Sequence, residues 1–284
     1  MTKQDTKLFC CAVLLILLLN LVFLKPQAVE AAHPTIADHY ISVEFDLQTG
    51  SLKANSRITL PAGVNLHLDF SHLDVSWIVI NGQEIEATQD KNYLNIQSAA
   101  SQQEILLAYS KKIPQGSSPH NIISQSGITL IDSWYSHADQ EMLYKLTAVI
   151  PENFSAVSEA DEIIAFQVNG SKQLTFRFPY PLLSINFIAG PYTVLEENLG
   201  EDKKLYAYFF PEDQQLAEGY MAKARKYLER YEEMLGPYPY NRFSIVENRL
   251  PTGFAMPTFT LLGQSVVRLP FIVDTSLGHE VLHA

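Results

Sequence analysis

Apolar and polar residues alternate along the chain from position 40 to about position 193. Tyr40–Leu47 alternates in this way, Thr49 and Gly50 provide a turn, and Ser51–Leu60 alternates again. Because period two places the apolar side chains on one face of a strand, this stretch predicts a β-hairpin. Many short strands without helical periods between them favour an antiparallel sandwich or a saddle-shaped sheet. The further predicted strands are Val64–Phe70, Trp77–Ile80, Tyr93–Ile96, Glu104–Ser110, Leu143–Ile150, Ile163–Val168, Leu174–Phe178 and Ser184–Val194.

The period changes after the polar stretch Glu196–Lys204, which fits a domain junction or a long hairpin loop. Beyond it, apolar residues recur at steps of three and four until Gly236 and Pro237. This spacing predicts an amphipathic helix of about six turns, whose aromatic stripe packs on a sheet. The apolar positions are Leu216, Tyr220, Ala224, Tyr227, Leu228, Tyr231 and Leu235.

The last part of the chain predicts two strands and a short closing helix. The strands are Phe243–Glu247 and Phe259–Leu262. Asp274, Thr275 or Ser276 is expected to cap the helix, because short polar side chains accept hydrogen bonds from the free amides of a first turn.

The first 31 residues predict a secretory signal peptide. Lys3 and Lys7 precede the apolar run Leu8–Leu24, and Val29–Ala31 is a small-residue cleavage pattern. The expected location is therefore secreted or periplasmic, with membrane anchoring by an uncleaved N-terminal segment as the alternative. Both cysteines of the chain lie in the apolar run, so no disulfide is expected in the mature part.

Composition limits the class of protein. The formal net charge is -11, so nucleic acid is not an expected partner. A hydrophobic fraction of 47% is that of a globular chain. After a signal peptide at 1–31, the remaining length fits a β-rich domain at 32–196 and a second domain at 197–284. The predicted fold class is α+β.

The chemistry of the chain is concentrated in His279-Glu280-Val281-Leu282-His283. Residues four apart lie one helical turn apart on a common face, so His279 and His283 are positioned to bind one zinc ion. Glu280 is then the candidate general base that takes a proton from water. A catalytic zinc ion usually has three protein ligands and a water, and only Ala284 follows the motif.

The order of motifs resembles the membrane alanyl aminopeptidase (aminopeptidase N) family of gluzincin zinc metallopeptidases. Tyr238–Tyr240 follows the long helix, and a strand, the Gly253–Met256 loop and His279–His283 come next. The resemblance implies an N-terminal saddle domain followed by the first half of a thermolysin-like catalytic domain. It also implies Zn²⁺ as cofactor, a third ligand from a glutamate on the next helix and an oxyanion-stabilising tyrosine beyond it, both past Ala284.

The sequence departs from this family in the loop that binds substrate. The family reads Gly-x-Met-Glu-Asn, whose glutamate holds the free amino group of the substrate, whereas Pro257 and Thr258 follow Ala255 and Met256 here. A desolvated ammonium group needs a charged partner. Ala255 and Met256 are expected to contact substrate, and the choice between exopeptidase and endopeptidase stays open. Phe259–Leu262 is either a core strand or an edge that pairs with an extended peptide.

The expected function is that of a zinc metallopeptidase that hydrolyses peptide bonds in its full-length form and is inactive or weak as this chain. The motif so near the end predicts a truncated enzyme: an interrupted gene, an incomplete reading, or one half of a split enzyme. The expected partners are a peptide or protein substrate and, for a split enzyme, a separate chain with the rest of the catalytic domain. The alternative function is a secreted β-rich binding module with a relic zinc motif.

Overall fold

The computed structural model describes residues 36–85, 92–200, 203–251 and 253–284, which belong to one compact unit. The predicted signal peptide at 1–31 lies outside the described residues. In the described ranges, no helix has the length and apolar character needed to cross a bilayer. The strands are β1 (Ala37–Asp46), β2 (Ser51–Leu60), β3 (Leu66–Asp69), β4 (Asp74–Ile80), β5 (Gln83–Ile85), β6 (Tyr93–Ile96), β7 (Gln103–Lys112), β8 (Asn121–Ser124), β9 (Gly127–Leu130), β10 (His137–Ala138), β11 (Met142–Pro151), β12 (Ser155–Val157), β13 (Glu162–Val168), β14 (Ser171–Arg177), β15 (Phe187–Gly190), β16 (Thr193–Asn198), β17 (Lys204–Phe209), β18 (Arg242–Asn248), β19 (Gly253–Met256) and β20 (Phe259–Gly263).

An eight-stranded sheet with the order β13-β14-β11-β1-β2-β7-β4-β5 forms most of the N-terminal part. β1 and β2 are the predicted hairpin, and Gly50 in its turn has φ 66°, a conformation that suits glycine. Neighbouring strands of this sheet run antiparallel except β1 and β11, which are parallel. The sheet is therefore mixed, where the sequence predicts an antiparallel one.

Two small sheets, β10-β3-β6 and β12-β15-β9-β8, share a hydrophobic core with the large sheet. Ile41 on β1, Leu68 on β3 and Leu130 on β9 are fully buried in this core. The prediction of one strand over Ser184–Val194 is wrong, because β15 ends at Gly190 and β16 begins after Pro191 and Tyr192. Pro191 has no amide hydrogen to donate, which favours a break in the ladder.

A five-stranded sheet with the order β16-β17-β18-β20-β19 forms the C-terminal part. At its two ends, the polar stretch belongs to paired strands: Glu196 and Asn198 lie on β16 and Lys204 lies on β17, which favours the hairpin over the domain junction. β16 runs across the predicted domain division at 196 and 197, and the division itself stays a prediction. With the helices that follow, this sheet gives an α+β chain, so the predicted fold class is confirmed.

Three α-helices accompany this sheet: α1 (Ala217–Leu235), α2 (Gln264–Val267) and α3 (Ser276–His283). α1 follows a 3-10 turn at Gln214–Leu216, and another 3-10 turn at Ile272–Asp274 leads into α3. The predicted side-chain cap of α3 is wrong. Thr275 precedes the helix, but its hydroxyl donates to the Phe271 carbonyl at 2.8 Å and makes no capping bond.

The two faces of the five-stranded sheet have different partners. Leu205, Ala207 and Phe209 on β17 pack with α1 and α3, as the predicted amphipathic stripe requires. Tyr208, between them in sequence, points to the opposite face and packs with Val157 of β12. Because side chains alternate along a strand, the odd-numbered residues of β17 face the helices and the even-numbered ones face the N-terminal strands.

Candidate metal centre

The predicted metal ligands lie on α3 with their rings converging. The Nε2 atoms of His279 and His283 are 3.0 Å apart, and the ring centroids are 4.5 Å apart at an interplanar angle of 81°. Both side chains are exposed, while Leu277 and Val281 on the same helix are buried. The apolar positions of this short helix thus fix its orientation on the protein and leave both imidazoles accessible.

The separation of the imidazole nitrogens suits a shared zinc ion. Two nitrogens that each lie about 2.0–2.1 Å from a tetrahedral zinc ion are about 3.3 Å apart, close to the distance between His279 and His283. Imidazole nitrogen is also a favoured zinc ligand. Among the described residues, no third His, Cys, Asp or Glu joins the pair to complete a metal-binding group. The described part of the chain therefore provides two of the protein ligands that a catalytic zinc ion requires.

Three tyrosines of α1 hold the segment that carries the histidines. The hydroxyl of Tyr220 donates to the Val267 carbonyl at 3.0 Å, and that of Tyr227 donates to the Val273 carbonyl at 3.2 Å. The hydroxyl of Tyr231 donates to the Gly278 carbonyl at 2.9 Å, directly before His279. These residues lie on one stripe of α1, so the aromatic stripe positions α3 and packs on the sheet at the same time.

Gly278 allows α3 to pack closely against α1. A Cβ atom at this position would lie 2.7 Å from a carbon atom of the Tyr227 ring, far inside van der Waals contact. Tyr227 itself is held by its bond to Val273 and stacks on Tyr231 with a centroid distance of 6.2 Å. Only glycine fits between the first turn of α3 and this ring.

Glu280, the predicted general base, lies between the two histidines in sequence and is half-buried. Its carboxylate makes no hydrogen bond or ion pair with any described residue. An ionised carboxylate without a protein partner is free to accept a proton from a water molecule.

Ala255 and Met256 lie on β19, the edge strand of the five-stranded sheet. The predicted loop at Gly253–Met256 is therefore wrong: these residues pair with β20, and α3 packs against them. Of the two interpretations of Phe259–Leu262, the core strand is correct, because β20 lies buried between β18 and β19. Ala255 is half-buried, whereas Met256 is buried in the core on the sheet face opposite the helices.

One of the other described histidines is buried. His39 is 0% exposed, and its Nε2 lies 2.9 Å from the Ser56 hydroxyl. Burial lowers the pKa of His39 to about 3, and the nearby His137 adds to the effect. His39 is therefore a neutral core residue.

A buried acidic pair, which the sequence analysis did not identify, lies on the helix face of the sheet. Glu247 at the end of β18 is 0% exposed and accepts a hydrogen bond from the Phe210 amide at 2.7 Å. Burial, together with the neighbouring carboxyl of Asp213, raises the pKa of Glu247 to about 7. Asp213 has a lowered pKa, because Arg268 donates two hydrogen bonds to it. The sequence does carry one signal of this buried acid: Glu247 is a charged residue at the end of the otherwise mainly apolar predicted strand Phe243–Glu247.

Comparisons with known proteins identify the fold. No protein-family model matches the chain, and no curated protein matches it by comparison. The structure is similar to the crystal structure of an M1 zinc metallopeptidase from Deinococcus radiodurans, with a TM-score of 0.67 and 16% sequence identity. This match covers 87% of the present chain and 63% of the other, and a mutant of that enzyme with alanine in place of a glutamate gives the same values.

A two-domain M1 zinc metallopeptidase mutant bound to L-arginine matches with a TM-score of 0.63 and 15% identity, over 86% of this chain and 63% of that one. The chain thus shares its fold with these M1 zinc metallopeptidases. The chain spans less than two thirds of the length of these structures.

Proposed function

We propose that this chain is the front part of an M1-type zinc metallopeptidase, with His279 and His283 as two of the zinc ligands and Glu280 as the general base. The single observation that carries the proposal is the convergence of the two Nε2 atoms to 3.0 Å on a helix within the M1 fold. A chance pair of helical histidines has no reason to share this fold.

Each residue of the motif has a distinct role in the proposed reaction. When bound, zinc polarises a peptide carbonyl and makes a water molecule more acidic. Glu280 accepts the proton of that water and passes it to the leaving amine. His279 and His283 would hold the ion through the lone pairs of their Nε2 atoms, because a protonated imidazole nitrogen cannot ligate a metal.

The third protein ligand is proposed to come from outside the given sequence, from a following segment or from a separate chain. This follows from the two-ligand set that the described residues provide near α3. Two imidazoles bind zinc much more weakly than a closed set of three ligands, so the given chain is proposed to be inactive or weak alone.

The proposed substrate is a peptide or protein that pairs with the edge strand β19, where Ala255 presents its backbone beside α3. Met256 supports the strand from the core side. Pro257 and Thr258 form the turn after β19 and offer no carboxylate to a free amino terminus. We therefore propose that hydrolysis does not require a free amino group. The test compares the hydrolysis rates of peptides with acetylated and with free N-termini, using the longest form of the protein that the gene encodes.

Zinc binding by the full chain tests the proposal. Zinc is added to the metal-free protein and measured by titration, with His279→Ala and His283→Ala as variants and the exposed His72→Ala as the matched control. We expect the wild-type chain to bind one zinc ion weakly and both α3 variants to lose this binding. The control variant should bind zinc as the wild type does. Stoichiometric retention of zinc during dialysis against a weak chelator would contradict the claim that two ligands are insufficient.

The role of Glu280 is tested in the longest form of the protein that the gene encodes. Glu280→Gln should leave zinc binding unchanged and lower peptide hydrolysis by about 10²–10⁴-fold, because the proton acceptor is lost. Glu218→Gln, on the exposed side of α1, is the control. Equal activity of Glu280→Gln and wild type would rule out this base. Absence of zinc binding in every form would instead favour the secreted binding module, in which the zinc motif is a relic.

A further inference from the structure

The most unusual buried charge outside the metal centre is Arg242, at the start of β18. Its side chain is 7% exposed. No carboxylate of the described residues lies within ion-pair distance of its guanidinium, whereas Arg249 and Arg268 each pair with an acid. A buried cation is costly unless an anion or several hydrogen bonds compensate it.

The partners of Arg242 are neutral and do not use all of its donors. Its Nη2 donates to the Tyr208 hydroxyl at 3.1 Å and reaches the Ser244 hydroxyl at 3.5 Å. Its Cζ lies 4.4 Å from the ring centroid of Tyr206. The buried Nε has no acceptor among the described residues. Because the Tyr208 oxygen accepts from Arg242, its own hydrogen stays available to a further acceptor.

Arg242 lies at the floor of a cleft of about 700 Å³. One wall is the sheet face formed by β17 and β18, which is opposite to the face covered by α1 and α3. The other wall is the β13–β14 hairpin with the segment before it, where Ala165, Lys172 and Leu174 line the cleft. A cleft with a buried cation in its lining is typical of a ligand site.

The acids that line the same cleft are already engaged. Glu162 pairs with Arg177 at 3.1 Å, and Asp161 accepts a hydrogen bond from the Asn241 amide at 3.1 Å. The free groups of the cleft are therefore mainly donors: the guanidinium of Arg242, the hydroxyl of Tyr208 and the remaining hydrogens of the Lys172 ammonium. Such a set favours an anion.

We propose that this cleft binds a small carboxylate whose charge is met by Arg242 and Tyr208 and whose apolar or aromatic part lies against Tyr206 and Ala165. A planar carboxylate matches the planar guanidinium, and the Tyr206 ring provides area for an apolar body. The site is separate from α3, so its ligand binds whether or not zinc is present.

The test compares two probes that differ in one charge. N-acetyl-L-phenylalanine and its uncharged amide are titrated into the full chain in the presence of EDTA, and binding is followed by ligand-observed NMR. The acid should bind at least about tenfold more tightly than the amide, because a charge-assisted hydrogen bond is lost with the carboxylate. Equal binding of the two probes, or binding of neither to the folded chain, would overturn the proposal.

Variants of the cleft assign the contact to named residues. Arg242→Met should weaken binding of the acid by about ten- to a hundredfold, and Arg242→Lys by less, because it keeps the charge without the planar fork. Tyr208→Phe should weaken it several-fold, because the hydroxyl that meets the carboxylate is lost, whereas the exposed Tyr93→Phe should not. If Arg242→Met fails to fold, the Tyr208→Phe and Tyr93→Phe pair decides. Equal affinities in that pair would contradict the proposed site.

Discussion

Gly278 controls how closely the helix with the two histidines approaches α1. Gly278→Ala should destabilise the protein by about 1–3 kcal/mol, because its Cβ would lie 2.7 Å from the Tyr227 ring and force α3 away. Chemical denaturation measures the change in the free energy of unfolding. The control is Gly219→Ala in α1, where a Cβ meets no atom within 4 Å and should stabilise the helix by about 0.5–1 kcal/mol. If Gly278→Ala and Gly219→Ala change the free energy of unfolding by similar amounts, the Tyr227 ring moves aside and the close approach does not require glycine.

Glu247 should make stability fall as pH rises through the neutral range. Its pKa is about 7 in the folded chain, above the ordinary carboxyl value of 4.5, so folding favours the protonated form. The resulting stability is complete below the ordinary pKa and is lost between pH 4.5 and about 7.

Glu247→Gln should remove this dependence while it keeps the acceptor for the Phe210 amide. Relative to wild type, the variant should gain about 1–3 kcal/mol between pH 5 and pH 8 in the free energy of unfolding. Urea denaturation across this pH range measures the gain, with the exposed Glu218→Gln as control. Parallel pH profiles of wild type and Glu247→Gln would contradict the raised pKa.

At individual positions, local spacing predicted the histidine pair but not the buried acids. His279 and His283 needed only the helical repeat to share a face. Glu247 and Asp213 are 34 positions apart and meet only because β18 ends beside the turn before α1. A contact of that kind depends on the arrangement of strands, which the residues themselves do not reveal.

Among the elements, α1 packs on the sheet and also positions α3. A change at Tyr231 tests the second of these roles. Tyr231→Phe removes the hydrogen bond to the Gly278 carbonyl and should cost about 0.5–1.5 kcal/mol of stability. Because α3 has only eight residues, it is not stable alone, and the loss should also weaken zinc binding. Thermal unfolding and zinc titration measure the two effects. The exposed Tyr93→Phe is the control, and a variant with normal zinc affinity would show that the bond does not position His279.

Long, regular elements were predictable and most strands of four residues or fewer were not, although β6 has the predicted bounds Tyr93–Ile96. The hairpin β1–β2 and helix α1 follow from periods of two and about 3.6 over many residues. The four residues of β19, between Thr252 and Pro257, give no usable period, and they form a strand only through pairing with β20. The same holds for β8, β9 and β12, which are three or four residues long.

For the whole molecule, zinc should raise the melting temperature only when both histidines are present. A ligand that binds only the native state stabilises it by about 2.7 kcal/mol at 100 times its Kd, which is about 5–10 °C for a domain of this size. Calorimetry with and without zinc measures the shift. His283→Ala should abolish it and His72→Ala should not. An equal shift in His283→Ala would place the bound zinc elsewhere.

The central parallel pair has a consequence for synthesis of the protein. β1 pairs with β11, and Ala37 lies opposite Met142, so the middle of the large sheet joins segments more than a hundred positions apart. While the chain leaves the ribosome, β2 can pair with β7, but the outer edge of β1 has no partner strand until β11 emerges. At about 5–20 residues per second, that delay is several seconds, during which a chaperone has access to the unfinished edge.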